Sequence, residues 1–140
     1  MTSPSRRGRV VAFDPGTARI GVAVCDAAHT MAFPHEPVAA GPDAPARCAA
    51  IAREEQAETV VVGHPLRLDG TEGDAASAAR ELAAALRDEL GDIAVVLHDE
   101  RLTTVTASSR LRSAGVDAKA ARGRVDGAAA VVLLESWLSS

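Results

Sequence analysis

Aromatic residues are almost missing from this 140-residue chain: two phenylalanines, one tryptophan and no tyrosine, 2% in all. Recognition of bases by stacking on aromatic platforms therefore has little to work with. Cysteine is equally scarce. Cys25 and Cys48 are the only two and share no C-x-x-C spacing, which disfavours a disulfide framework and a zinc site alike. No apolar run has the length needed to cross a bilayer, and Met1 to Arg9 carries arginines without the apolar stretch of a secretory signal. The expectation is a cytoplasmic protein with no membrane partner.

Hydrophobic residues nevertheless make up 47% of the chain, so the core must be built from Ala, Val and Leu. The length suits one compact domain, here taken as 9–140 behind a flexible 1–8. Charge is unevenly spread behind a formal net charge of -4. Arg101 to Arg124 holds six basic residues against Asp117 alone, while Glu54 to Glu100 holds twelve acidic against three basic. A basic segment on an acidic protein steers a polyanion or forms a solvated helical face.

Val10 to Phe13 is a continuous apolar run ended by Asp14, followed by the turn residues Pro15, Gly16 and Thr17 and a second apolar run, Ile20 to Cys25. The pattern predicts a β-hairpin with a carboxylate at the end of a buried strand. A short third strand is expected within Thr30 to Ala40, at a sheet edge because of Pro34 and Pro37. A helix follows over Ala46 to Glu58, then a buried strand over Thr59 to Gly63 that His64-Pro65 ends. The second helix carries Ala75, Ala79, Leu82, Leu86 and Leu90 on one stripe and stops at Gly91. Ile93 to Leu97 reads as another buried strand, delivering His98, Asp99 and Glu100 at its end. A helix capped by Thr103 or Thr104, a basic loop over Val116 to Arg124 and a deeply packed helix over Val125 to Leu138 complete the chain. The order is β-β-β-α-β-α-β-α-α, an antiparallel meander followed by crossover units that add parallel strands.

Asp14, Glu100 and Asp126 each stand where an apolar segment meets a loop. Converging, they would form an oxygen-donor set suited to Mg²⁺ or Mn²⁺ and to phosphodiester hydrolysis. Each also has a plainer reading. Asp14 can cap its turn, Glu100 can pair with Arg101 or the basic loop, and Asp126, in the first turn of its helix, can oppose the macrodipole. Asp99 should point to the opposite face from Glu100, leaving at most one of them comfortable in such a site.

Four motifs in order, DPGTARIGVAV at Asp14 to Val24, VVGHPLRLDGTEG at Val61 to Gly73, DERLTTV at Asp99 to Val105 and VDGAAAVVLLESWL at Val125 to Leu138, make the chain resemble the YqgF family, also called RuvX. The resemblance spans Val10 to Leu138 and implies an RNase H-like three-layer α/β fold with a five-stranded mixed sheet of order 3-2-1-4-5. Members are described as Holliday-junction-resolvase-like and as pre-16S rRNA nucleases. It further implies Asp14, Glu100 and Asp126 as catalytic metal ligands and places nucleic acid against the basic residues near the last helices: Arg101, Lys119, Arg122 and Arg124. Thr17 and Arg19 in the first motif are expected near a phosphate, with hairpin formation as their alternative role, and Arg67 lies in a glycine-containing loop that either meets substrate or simply connects strand to helix.

Pro15, His64 and Gly127 depart from the family pattern. His64 brings a titratable group beside the expected site, where it either positions water or phosphate or serves the structure. In a 3-2-1-4-5 sheet the last strand does not neighbour the first, and the intervening strand ends Gly63-His64-Pro65 without a carboxylate, so either Glu100 reaches across it or the metal site is looser than in better-understood relatives of this fold.

The leading reading is a metal-dependent endonuclease acting on structured RNA or branched DNA, as a monomer for end-trimming or a homodimer for symmetric cutting. A nucleic-acid-binding ribosome-assembly factor with a vestigial site is the alternative. The Asp-x-Gly-Thr turn also resembles the phosphate-binding hairpin of actin-like ATPases and sugar kinases, which enclose ATP between two such domains where this chain has one.

Overall fold

The computed structural model describes residues 8–67, 69–100 and 118–140, with side chains from 127 onward in the last segment. Its elements are β1 (Arg9–Pro15), β2 (Arg19–Cys25), β3 (Ala32–Ala39), α1 (Ala44–Glu54), β4 (Ala57–His64), α2 (Asp74–Leu90), β5 (Ala94–Asp99) and α3 (Ala118–Ser139). The strands form one sheet in the order β3-β2-β1-β4-β5. The β1–β2 and β2–β3 pairs are antiparallel, whereas β1–β4 and β4–β5 are parallel. This is the expected order, with β3 and its two prolines at an edge.

Alternation along the strands splits the apolar residues between two cores. Val11 and Phe13 of β1, Val22 of β2 and Val60 and Val62 of β4 pack with Cys48 and Ala52 of α1 and Leu82 and Leu86 of α2. Val10 and Ala12, Ala23 and Val61 point the other way, onto Ala130, Leu133 and Leu134 of α3. Burying each such Val, Leu or Phe side chain stabilises the fold by about 1.5–3 kcal/mol. The result is a sheet sandwiched between helices, built with hardly any aromatic volume.

Several boundaries differ from the sequence reading. β1 does not stop before Asp14: Asp14 and Pro15 stay paired with Gly21 and Ile20, so the carboxylate is held inside the hairpin ladder. β4 likewise runs Ala57–His64 and β5 Ala94–Asp99. α1 begins at Ala44, because Pro45 fits the first turn of a helix, and ends at Glu54, where Gln56 takes a φ of 57°. On α2 it is Ala76, not Ala75, that joins the buried stripe, since the helix starts at Asp74 and its phase is set by Ala79, Leu82 and Leu86.

The largest correction concerns the C-terminal segment. Residues 118–124, expected in a basic loop, are helical, because Ala-Lys-Ala-Ala-Arg has high intrinsic helix propensity although it lacks apolar periodicity. Asp126 consequently lies about two turns inside α3 and not in its first turn, which removes the macrodipole explanation for it. The helix expected after Thr103 lies outside the described residues. Among the described residues no helix is long and apolar enough to cross a membrane.

Candidate active site

Asp14 has the same strand parity as Val10 and Ala12, which places its side chain on the α3 face of the sheet. Gly63 shares that face with Val61, and His98 with Val96. Glu100, in the turn that follows β5, brings its carboxyl back over the same face, where it donates a hydrogen bond to Asp14. The two carboxyls meet although β4 separates their strands. Burial, then the hydrogen bond to Asp14, then repulsion from Asp14 and Asp99 push the Glu100 carboxyl up to about 9.

Two hard oxygen donors brought this close suit a hard divalent cation, which would offset the repulsion that raises Glu100. Asp14 and Glu100 would hold it. Among the described residues no group of three or more His, Cys, Asp or Glu side chains is arranged around a metal position. The side chain of Asp126 lies outside the described residues; Gly127 beside it packs against Pro34 of β3.

His98 is buried and its Nε2 lies 3.0 Å from Ser136 Oγ, tying the end of β5 to α3. Burial lowers its pKa, with Asp99 opposing, so the ring is held toward the neutral form. Asp99 itself pairs in register with His64 at the end of β5.

His64 has the parity of Val62 and so faces the α2 side. Its Nε2 is 2.8 Å from Glu72 Oε2, and Glu72 Oε1 is 3.1 Å from an Arg80 guanidinium nitrogen. This chain of three fastens the β4–α2 loop to the strand end and keeps His64 away from the carboxyl pair. Within that loop Asp69 Oδ1 accepts from Thr71 N at 2.9 Å and Thr71 Oγ1 at 2.7 Å, and the Arg67 guanidinium lies over Gly73 at the start of α2. Thr17 and Arg19 are exposed at the β1–β2 turn, on the hairpin that carries Asp14. Arg101 falls outside the described residues. Lys119, Arg122 and Arg124 lie on the first half of α3, with their side chains outside them.

Ser136, Glu72 and Arg80 were not singled out by the sequence. Their partners are set by tertiary packing, 38 residues away for Ser136, and no spacing signals them.

A family model described as "RuvX: Holliday junction resolvase" matches residues 8–140. A "Putative pre-16S rRNA nuclease" of Nocardia farcinica is 45% identical over 145 residues, covering 98% of this chain and 80% of the relative. The protein of the same description from Thermobifida fusca is 46% identical over 142 residues, covering 96% and 89%. Among solved structures, Thermus thermophilus RuvC in complex with a Holliday junction substrate superposes with a TM-score of 0.57 at 17% identity, over 93% of this chain and 92% of that one. The shared architecture is RNase H-like.

Proposed function

Because this chain belongs to the RuvX family of nucleases, we propose that it is a metal-dependent endonuclease whose substrate is structured RNA, the 5′ region of precursor 16S rRNA above branched DNA. The convergence of Asp14 and Glu100 across an intervening strand is the observation that carries this reading. The description shared by relatives about 45% identical favours the rRNA substrate.

In this reading Asp14 and Glu100, with Asp126 as third ligand, hold Mg²⁺ or Mn²⁺. A cation there supplies Lewis acidity, lowering the pKa of an attacking water and offsetting charge on the leaving oxygen. The chain's own contribution is to fix its donors. Asp14 is locked in the β1–β2 ladder, and Glu100 follows directly on β5. Loading requires Glu100 to release its proton, so the site takes up a cation more readily as pH rises. Thr17, Arg19 and Arg67, together with Arg101, Lys119, Arg122 and Arg124, are the proposed phosphate contacts; such contacts set register and orientation on the strand without reading its sequence.

Cleavage of a precursor 16S rRNA fragment and a four-way DNA junction, side by side with Mg²⁺ or Mn²⁺, tests the proposal. The RNA should be cut by wild type and spared by Asp14→Asn. Preferential cutting of the junction reverses the substrate assignment, and equal cutting by Asp14→Asn removes the site assignment.

A further inference from the structure

Glu100 reaches Asp14 only by crossing β4, and the residue it crosses is Gly63. A Cβ built on Gly63 would lie 2.9 Å from Glu100 Cδ and 3.1 Å from both Cγ and Oε1. Gly63 is an odd choice for this position on local grounds. It follows Val60, Val61 and Val62 in a buried parallel strand, where glycine packs nothing and costs conformational entropy. Its φ is not in the left-handed region, so the backbone does not demand glycine. Two residues earlier on the same face, Val61 fills the equivalent space beneath α3. A glycine inside a strand is a place where another group approaches closely, and here that group is the Glu100 carboxyl.

We propose that Gly63 is a positioning residue: the missing side chain opens a notch across β4 through which Glu100 reaches Asp14, and any side chain at this position displaces Glu100 from the pair. Its consequence for cation binding rests on the function proposed above. The atoms in the way belong to the far end of a flexible side chain, so Glu100 yields before the backbone does. Gly63→Ala therefore moves the carboxyl while leaving the fold in place.

The test is a double-mutant cycle of Gly63→Ala with Glu100→Gln, read by calorimetric Mn²⁺ titration, by cleavage and by the crystal structure of metal-free Gly63→Ala. Gly63→Ala should weaken Mn²⁺ binding by roughly tenfold or more, the range typical when a ligand loses its support. Added to Glu100→Gln it should weaken binding no further, since the side chain it displaces no longer serves as a ligand. The metal-free structure should show the Glu100 carboxyl off Asp14. Equal losses in both backgrounds, or an Asp14–Glu100 contact unchanged in the variant structure, overturn the inference. Wild type that binds no Mn²⁺ contradicts the metal reading instead, and the metal-free structure then still decides the role of Gly63. Should Gly63→Ala fail to fold, Glu100→Ala in the same chain should restore folding by clearing the notch; failure of that double variant also overturns the proposal.

Discussion

Glu100 donates a hydrogen bond to Asp14 from the turn after β5, a strand that does not neighbour β1. Both carboxyls are partly buried, and burial together with the neighbouring Asp14 holds Glu100 toward its protonated form. The arrangement is costly to the empty protein and useful only when something replaces that proton. Glu100→Gln should accordingly stabilise the metal-free protein at pH 8, by about 1–3 kcal/mol, because Glu100 must take up a proton to fold at that pH whereas the amide keeps a donor toward Asp14 and needs none. The same variant should lose cleavage by on the order of 10²-fold. Urea unfolding and single-turnover cleavage measure the two effects; a destabilised variant contradicts the geometry.

The same pair fixes the sign of a pH dependence. Glu100 binds its proton more tightly in the folded chain than in the unfolded one, where its carboxyl has the ordinary value near 4.5. Its contribution to stability is therefore complete below that value and is lost as pH rises toward about 9. One proton limits the slope to about 1.4 kcal/mol per pH unit. The difference in stability between wild type and Glu100→Gln, measured in chelator at pH 5, 7 and 9, isolates this contribution and should move against wild type with rising pH. Saturating Mn²⁺ should reverse the trend. A difference independent of pH would show that Glu100 is not held protonated.

Cys48, on the inner face of α1, is fully buried, which pushes its thiol up to about 12, and burial raises Cys25 as well. Thiol reagents at pH 8 should label neither residue in the native protein and both in denaturant. Labelling of the native chain within minutes would place one of these thiols at an opening.

Leu133 is completely buried where α3 crosses the sheet. Leu133→Ala should cost about 2–5 kcal/mol, and the partly exposed Leu138→Ala distinctly less. Chemical denaturation of the two variants checks the phase of the helix that carries Asp126.

Much of this was legible in the chain. Continuous apolar runs marked β1 and β4 as buried, paired prolines put β3 at the edge, and the motif order carried the strand order. Asp14 and Glu100 were identifiable as candidates for the same reason. The crossing that unites them was not, because Gly63 is informative only once the path of a side chain from another strand is known. The start of α3 is not legible from apolar periodicity, because the intrinsic propensity of alanine and lysine at 118–121 extends the helix without it. The end of α1 depends on Gln56 adopting a left-handed φ that its residue type does not signal. His64 drew attention as a departure near the site, but alternation along β4 turns it to the opposite face, toward Glu72.

Cleavage of a precursor 16S rRNA fragment by wild type and Asp14→Asn, in Mn²⁺ and in chelator, bears most directly on the carboxylate pair as the catalytic centre. Cutting by wild type in Mn²⁺ alone, with Asp14→Asn inert although folded, is expected. Cutting that persists in chelator, or in the variant at the wild-type rate, would contradict it.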